Sequence, residues 1–107
     1  MDGPFLRIEP MADPPGLRLF GEIDASNAHQ LALALDEVAS ADGDLHMDLA
    51  GVVFMDSTAI SVLLRTAREL DGRGELVLMN AGSLVANVLR LIRADQIPGL
   101  RVFEQPE

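Results

Sequence analysis

Asp56, Ser57 and Thr58 are the residues of this 107-residue chain best placed to do chemistry. They form a polar island between an apolar run, Val52–Phe54, and a strongly periodic stretch that begins at Ile60. One reading is local. A strand ends here, and the helix that follows leaves its first N–H groups without partners. Asp56 or Ser57 can accept from them, which stabilises the helix by about 1 kcal/mol. Asp56 also suits the positive end of the helix dipole. The other reading is functional. A hydroxyl at a helix N-terminus, after a strand, lies on the end surface of an α/β domain, where sites gather. A phosphate on Ser57 adds roughly −1.5 to −2 charges, which the helix's own N–H groups partly satisfy. A docked partner would instead meet that charge in a desolvated contact beside Asp56. The island is a cap or a switch.

Other chemistry is thin. His29 and His46 have no second ligand at metal spacing. A Ser-His-Asp triad can be written from Ser57, but the serine lacks the flanking glycines of a nucleophile elbow. No phosphate-binding loop is present, and the glycines of Asp71–Gly74 precede a strand instead of opening a helix. Asp24, Asp44, Asp48 and Asp56 could meet at one end of a sheet around a divalent cation, although such carboxylates serve first as caps and turn residues. Cysteine is absent, which removes disulfides and thiol chemistry. No catalytic residue, metal or cofactor is expected, and the chain reads as a binding protein, not an enzyme.

Hydrophobic residues make up 49% of the chain, enough for a core without metal or disulfides. The formal net charge is −9, from eight Arg, no Lys and seventeen acids. That disfavours nucleic acid and anionic membrane surfaces. It suits a basic protein partner, or simply solubility. With four Phe and neither Trp nor Tyr, stacking on bases or sugars has little support. Apolar runs are too short to span a membrane, and the N-terminus lacks a signal-peptide pattern. A single domain over residues 1–107 in the cytoplasm is expected.

The elements that must carry the island follow from periodicity. Phe5–Glu9 and Leu17–Ile23 alternate as strands, with a turn over Pro10–Gly16. Ala28, Leu31, Leu35 and Val38 mark a first helix, capped by Ser26 or Asn27. Leu45–Gly51 is a strand. Ile60, Leu63, Leu64, Ala67 and Leu70 mark an amphipathic second helix. Glu75–Ala81 reads as a strand buried on both faces. Ser83 caps a third helix with apolar Leu84, Val85, Val88, Leu89 and Ile92, and Leu100–Glu104 is a last short strand. The alternation after the hairpin calls for crossovers and a largely parallel sheet.

The stretches Gly21–Asp24 ("GEID") and Leu45–Thr58 ("LHMDLAGVVFMDST"), in this order and spacing, resemble the STAS domain of sulphate transporters and anti-sigma factor antagonists. The similarity runs from about Leu17 to Phe103. It implies a mixed α/β sheet of four to five strands, with an N-terminal hairpin and helices largely on one face. It also implies partner switching. The unphosphorylated domain binds an anti-sigma factor that is a serine kinase, the kinase phosphorylates the serine matching Ser57, and a serine phosphatase resets the cycle. Asp24, Asp56, Thr58, Ser61 and Val62 are the residues expected around the docking surface, with Thr58, Ser61 and Val62 exposed. Where the family has Gly-Leu-Gly, this chain has Ala59, Ile60 and Ser61, so a methyl and a hydroxyl are expected where glycine lets a partner approach. STAS-like domains also serve as fixed accessory subunits of transporters or ABC-type ATPases, and in that alternative the island is never phosphorylated.

Overall fold

Alternation builds a hairpin, β1 (Leu6–Ala12) and β2 (Pro15–Ile23), in the computed structural model, which describes residues 5–39 and 42–103. Then follow α1 (Ala28–Val38), β3 (Leu45–Met55), α2 (Ser57–Leu70), β4 (Leu76–Met79), α3 (Ser83–Leu91), a 3₁₀ turn (Ala94–Gln96) and β5 (Leu100–Val102). The sheet order is β1-β2-β3-β4-β5. β1 runs antiparallel to β2, and the other pairs are parallel. This is the mixed α/β sheet expected.

Helices cover one face of it. Leu19, Met47 and Leu78 from the strands share one core with Leu31 and Leu35 from α1 and Leu63 from α2. The alternate positions of the same strands form a more open face, although Val77 in β4 is fully buried on it, so that β4 is buried on both faces as expected. There Arg7 pairs with Glu9 at 3.3 Å, Arg18 with Asp48 at 3.5 Å, and Arg101 with Asp44 at 3.3 Å and Glu75 at 3.5 Å. The exposed pairs, all but Arg18–Asp48, stabilise weakly, by about 0–1 kcal/mol each. Their value is to keep an uncovered sheet face wet.

Several element boundaries differ from expectation, for local reasons. The turn over Pro10–Gly16 shrinks to Asp13 and Pro14, because Pro10 sits in β1 opposite Leu17. The Glu22 N–H donates to the Phe5 carbonyl at 2.9 Å, so odd-numbered residues of β1 face β2 and Pro10 faces outward. β1 is the edge strand, and the missing N–H of Pro10 costs no ladder bond there. β4 stops at Met79, since Asn80 adopts φ 62°. The last strand ends at Val102, one residue before the expected Phe103, and Glu104 lies outside the described residues. On α3, Gly82 holds the cap position, not Ser83, and only Val85 and Leu89 are fully buried, because the helix packs chiefly against β3 and the 3₁₀ turn. Leu84 and Ile92, expected inside, face solvent.

Asp48 ties three strands together. Its carboxylate accepts from the Ala50 N–H at 3.0 Å and the Asn80 amide at 3.2 Å, beside the Arg18 guanidinium. Burial alone would raise its pKa, but these three groups outweigh it and leave the carboxyl below its ordinary value. A carboxyl held lower in the folded than in the unfolded state adds stability above the unfolded pKa, about 4, and loses it as pH falls through the folded value. Urea unfolding between about pH 6 and 2 should therefore show a steeper acid loss for wild type than for Asp48→Asn. Equal slopes would remove Asp48 from the acid response.

Candidate functional site

The parallel strands β2 and β3 end level. Ile23 is opposite Met55, and the Asp56 N–H donates to the Ile23 carbonyl at 3.1 Å. Asp24 and Asp56 are thus the first residues past neighbouring strand ends. Each carboxylate is engaged locally. Asp24 Oδ1 accepts from the Ser26 N–H at 2.8 Å and the Ser26 hydroxyl at 2.6 Å. That hydroxyl, then that amide, hold the Asp24 carboxyl below its ordinary value. Asn27 is the residue before α1, but its side chain turns back: its oxygen accepts from the Asp24 N–H at 3.0 Å, and its amide donates to the Glu22 carbonyl at 2.9 Å. Neither Ser26 nor Asn27 caps α1 through its side chain.

Asp56 is the cap of α2. Its extended backbone, φ −98° and ψ −175°, turns the carboxylate back over the helix end. Oδ1 accepts from the Thr58 N–H at 2.9 Å and the Ala59 N–H at 3.1 Å. Ser57 is then the first helical residue and is exposed; its hydroxyl makes no hydrogen bond among the described residues. The choice between Asp56 and Ser57 as cap is settled by this geometry. It also corrects the expected fate of a phosphate, because the Thr58 and Ala59 amides already serve Asp56. Replacing Asp56 by Ala should cost about 1 kcal/mol in thermal or urea unfolding, and a loss near zero would contradict the capping bonds.

Around Ser57 the expected residues divide. Thr58 and Ser61 are exposed, and the Ser61 hydroxyl donates to the Ser57 carbonyl at 3.0 Å. Val62 is half-buried against the core, so it is not the exposed residue expected. Ala59 is fully buried, so its methyl fills the core and adds nothing to the surface. Of the other carboxylates, Asp44 precedes β3, at the opposite end from Asp56, and Asp48 lies within the strand. The four do not converge, and among the described residues no group of three or more His, Asp or Glu could hold a metal ion. Nor does any helix among them have the length and apolar character to cross a membrane.

Sequence reasoning missed two neighbours. β3 runs on to Met55, and its register against β2 shifts between Gly21 and Glu22, so that Val53 is an extra residue. Val53 and Phe54 end up 60% and 45% exposed beside the island. A continuous apolar run hides such a bulge; only the unpaired extra residue betrays it.

A family model described as "Mlab, STAS domain" (STAS_2) matches residues 8–102. The chain belongs to the STAS_2 family. Two solved structures are similar to this STAS domain. One is an anti-sigma factor antagonist from Mycobacterium paratuberculosis, with TM-score 0.76 and 23% identity, over 92% of this chain and 86% of that one. The other is the anti-sigma factor antagonist SpoIIAA in its unphosphorylated form, with TM-score 0.68 and 21% identity, over 95% and 90%. No curated protein matches this STAS domain in sequence.

Proposed function

We propose that this STAS domain is a cytoplasmic regulatory binding protein of the anti-sigma factor antagonist type, released from its partner by phosphorylation of Ser57. The partners are an anti-sigma factor that is also a serine kinase, and a serine phosphatase that resets the domain. What carries the reading is the division of labour between Asp56 and Ser57. Because Asp56 alone caps α2, the Ser57 hydroxyl is exposed, fixed on a rigid element and unneeded by the fold. In the modifying step the Ser57 oxygen bonds to the γ-phosphorus of ATP, the bond to the β-phosphate oxygen breaks, and a base on the kinase takes the hydroxyl proton. The new dianion stands beside the Asp56 carboxylate, which already holds the Thr58 and Ala59 amides, so it stays hydrated and opposes a dry contact. Asp24, Asp56, Thr58 and Ser61 supply the docking surface, with Val62 supporting it from beneath.

The test is a tagged wild type, Ser57→Ala and Ser57→Glu, isolated from native cells with bound proteins and phosphosites identified by mass spectrometry. A kinase-like partner kept by wild type and Ala, lost by Glu, with phosphate on a fraction of wild-type Ser57, supports the switch. One observation favours the alternative: Ser61, at a family glycine position, is bonded to the Ser57 backbone. If all three baits retain the same ATPase or transporter subunit and Ser57 is never modified, the domain is a fixed accessory subunit.

A further inference from the structure

The protein has four aromatic residues, all Phe, and none is in the core. By strand alternation all four belong to the open face of the sheet. Phe20 lies opposite Gly51, under the Arg7 guanidinium at 4.3 Å, and Phe103 lies under Arg101 at 5.3 Å. Phe54 is the register partner of Glu22, whose N–H bonds the Phe5 carbonyl, so Phe5, Glu22 and Phe54 form one row. Phe5 is 63% exposed, Phe54 45% and the bulged Val53 60%. The charge pattern changes at this row. Below it Glu9, Asp48, Asp44 and Glu75 each have an arginine. In it and just past it, Glu22, Asp24 and Asp56 have no cationic partner among the described residues, while exposed apolar side chains crowd beside them.

We propose that this end of the open face docks a basic protein segment, one carrying an apolar anchor next to arginine or lysine. The proposal rests on the same binding end of the sheet as the switch and extends the contact from α2 onto the strands. Phe54 and Val53 offer an apolar seat that a partner can desolvate, and Glu22 and Asp24 offer the charge that orients it. A second copy is disfavoured because two chains of net charge −9 repel. An anionic membrane is disfavoured for the same reason. The cationic groups belong over Glu22 and Asp24, and Ser57 stands on the helix side of this row, so binding here can be read without touching the hydroxyl.

The experiment is a titration of the ¹⁵N-labelled protein with a short leucine–arginine peptide and with its leucine–glutamate counterpart. The first should shift the amides of Glu22, Val53 and Phe54, and the second should shift none. Phe54→Ser should weaken binding by about tenfold or more, as loss of an aromatic anchor does. Leu84→Ser, which removes an exposed apolar side chain from α3, should leave the affinity unchanged. Shifts spread evenly over the acidic surface, a Phe54→Ser variant that titrates like wild type, or equal binding of the acidic peptide would each overturn the proposal. So would broadening of the same amides on concentrating the free protein, which would make a second copy the occupant. The peptide titration reads only the sheet row and the Ser57→Glu bait reads only the switch, so either can fail while the other stands.

Discussion

Ser57→Glu should weaken partner binding by about 100-fold or more, while Ser57→Ala binds as wild type and both variants melt within a few degrees of it. The loss corresponds to about 2.8 kcal/mol, within the range for a buried charge left without a partner in an interface. The carboxylate introduced by this substitution finds the Thr58 and Ala59 amides already held by Asp56. It must be desolvated beside another carboxylate when the partner closes. The fold does not share that penalty. Position 57 is exposed at the start of α2, where a negative charge is tolerated or mildly favourable. Calorimetric titration against the isolated partner and far-UV melting curves measure the two halves of the expectation. Binding of the Ser57→Glu variant within about twofold of wild type would sink the switch.

A large loss of stability is expected far from that surface, at Gly99. This residue adopts φ 82° at the entry to β5, and a Cβ there would collide with the Ala67 carbonyl oxygen and stand 3.3 Å from Asp71 Cβ. Its own carbonyl accepts from the Leu76 N–H at 2.7 Å, so any retreat of Gly99 from α2 also pulls on β4. Gly72 is the natural comparison, with φ 92° and open space around its Cβ position. Gly72→Ala meets only the left-handed backbone penalty, about 1–2 kcal/mol. Gly99→Ala adds an overpacking cost of about 1–3 kcal/mol, for a total of about 3 kcal/mol or more. Urea unfolding of the two variants isolates the difference. Equal losses would mean that the close approach of β5 to α2 contributes nothing.

Periodicity carried most of the fold. Alternation and helical spacing placed every strand and α-helix, because burying one face imposes a period of two or of 3.6 residues. It failed where a single residue's backbone decides. Pro10 reads as a turn signal until the chain's edge position makes its missing N–H harmless. Asn80 ends β4 through a positive φ that no hydropathy pattern records. Leu84 and Ile92 fit a helical stripe, yet nothing is packed over them, since a stripe says what can be buried and not what is available to bury it. At the site, the island itself was legible as Asp-Ser-Thr between a strand and a helix. Which of its oxygens caps α2 was not, since aspartate and serine both do this work and only the −175° ψ of Asp56 separates them. Ala59 shows the converse: motif comparison put its methyl at the surface, but helical geometry turned it inward.

The placement of all four phenylalanines on the open face gives the molecule an unusual optical division. Its interior is aliphatic, built from Leu, Ile, Val, Met and Ala, and is silent in the near ultraviolet. Near-ultraviolet dichroism of this protein therefore observes only one side of one sheet. A partner laid across that side should alter the phenylalanine bands without any change in the core. Loosening of the helices should leave those bands in place and appear in the far ultraviolet instead. Docking and unfolding, usually mixed in one signal, are separated here by where the chain has put its rings.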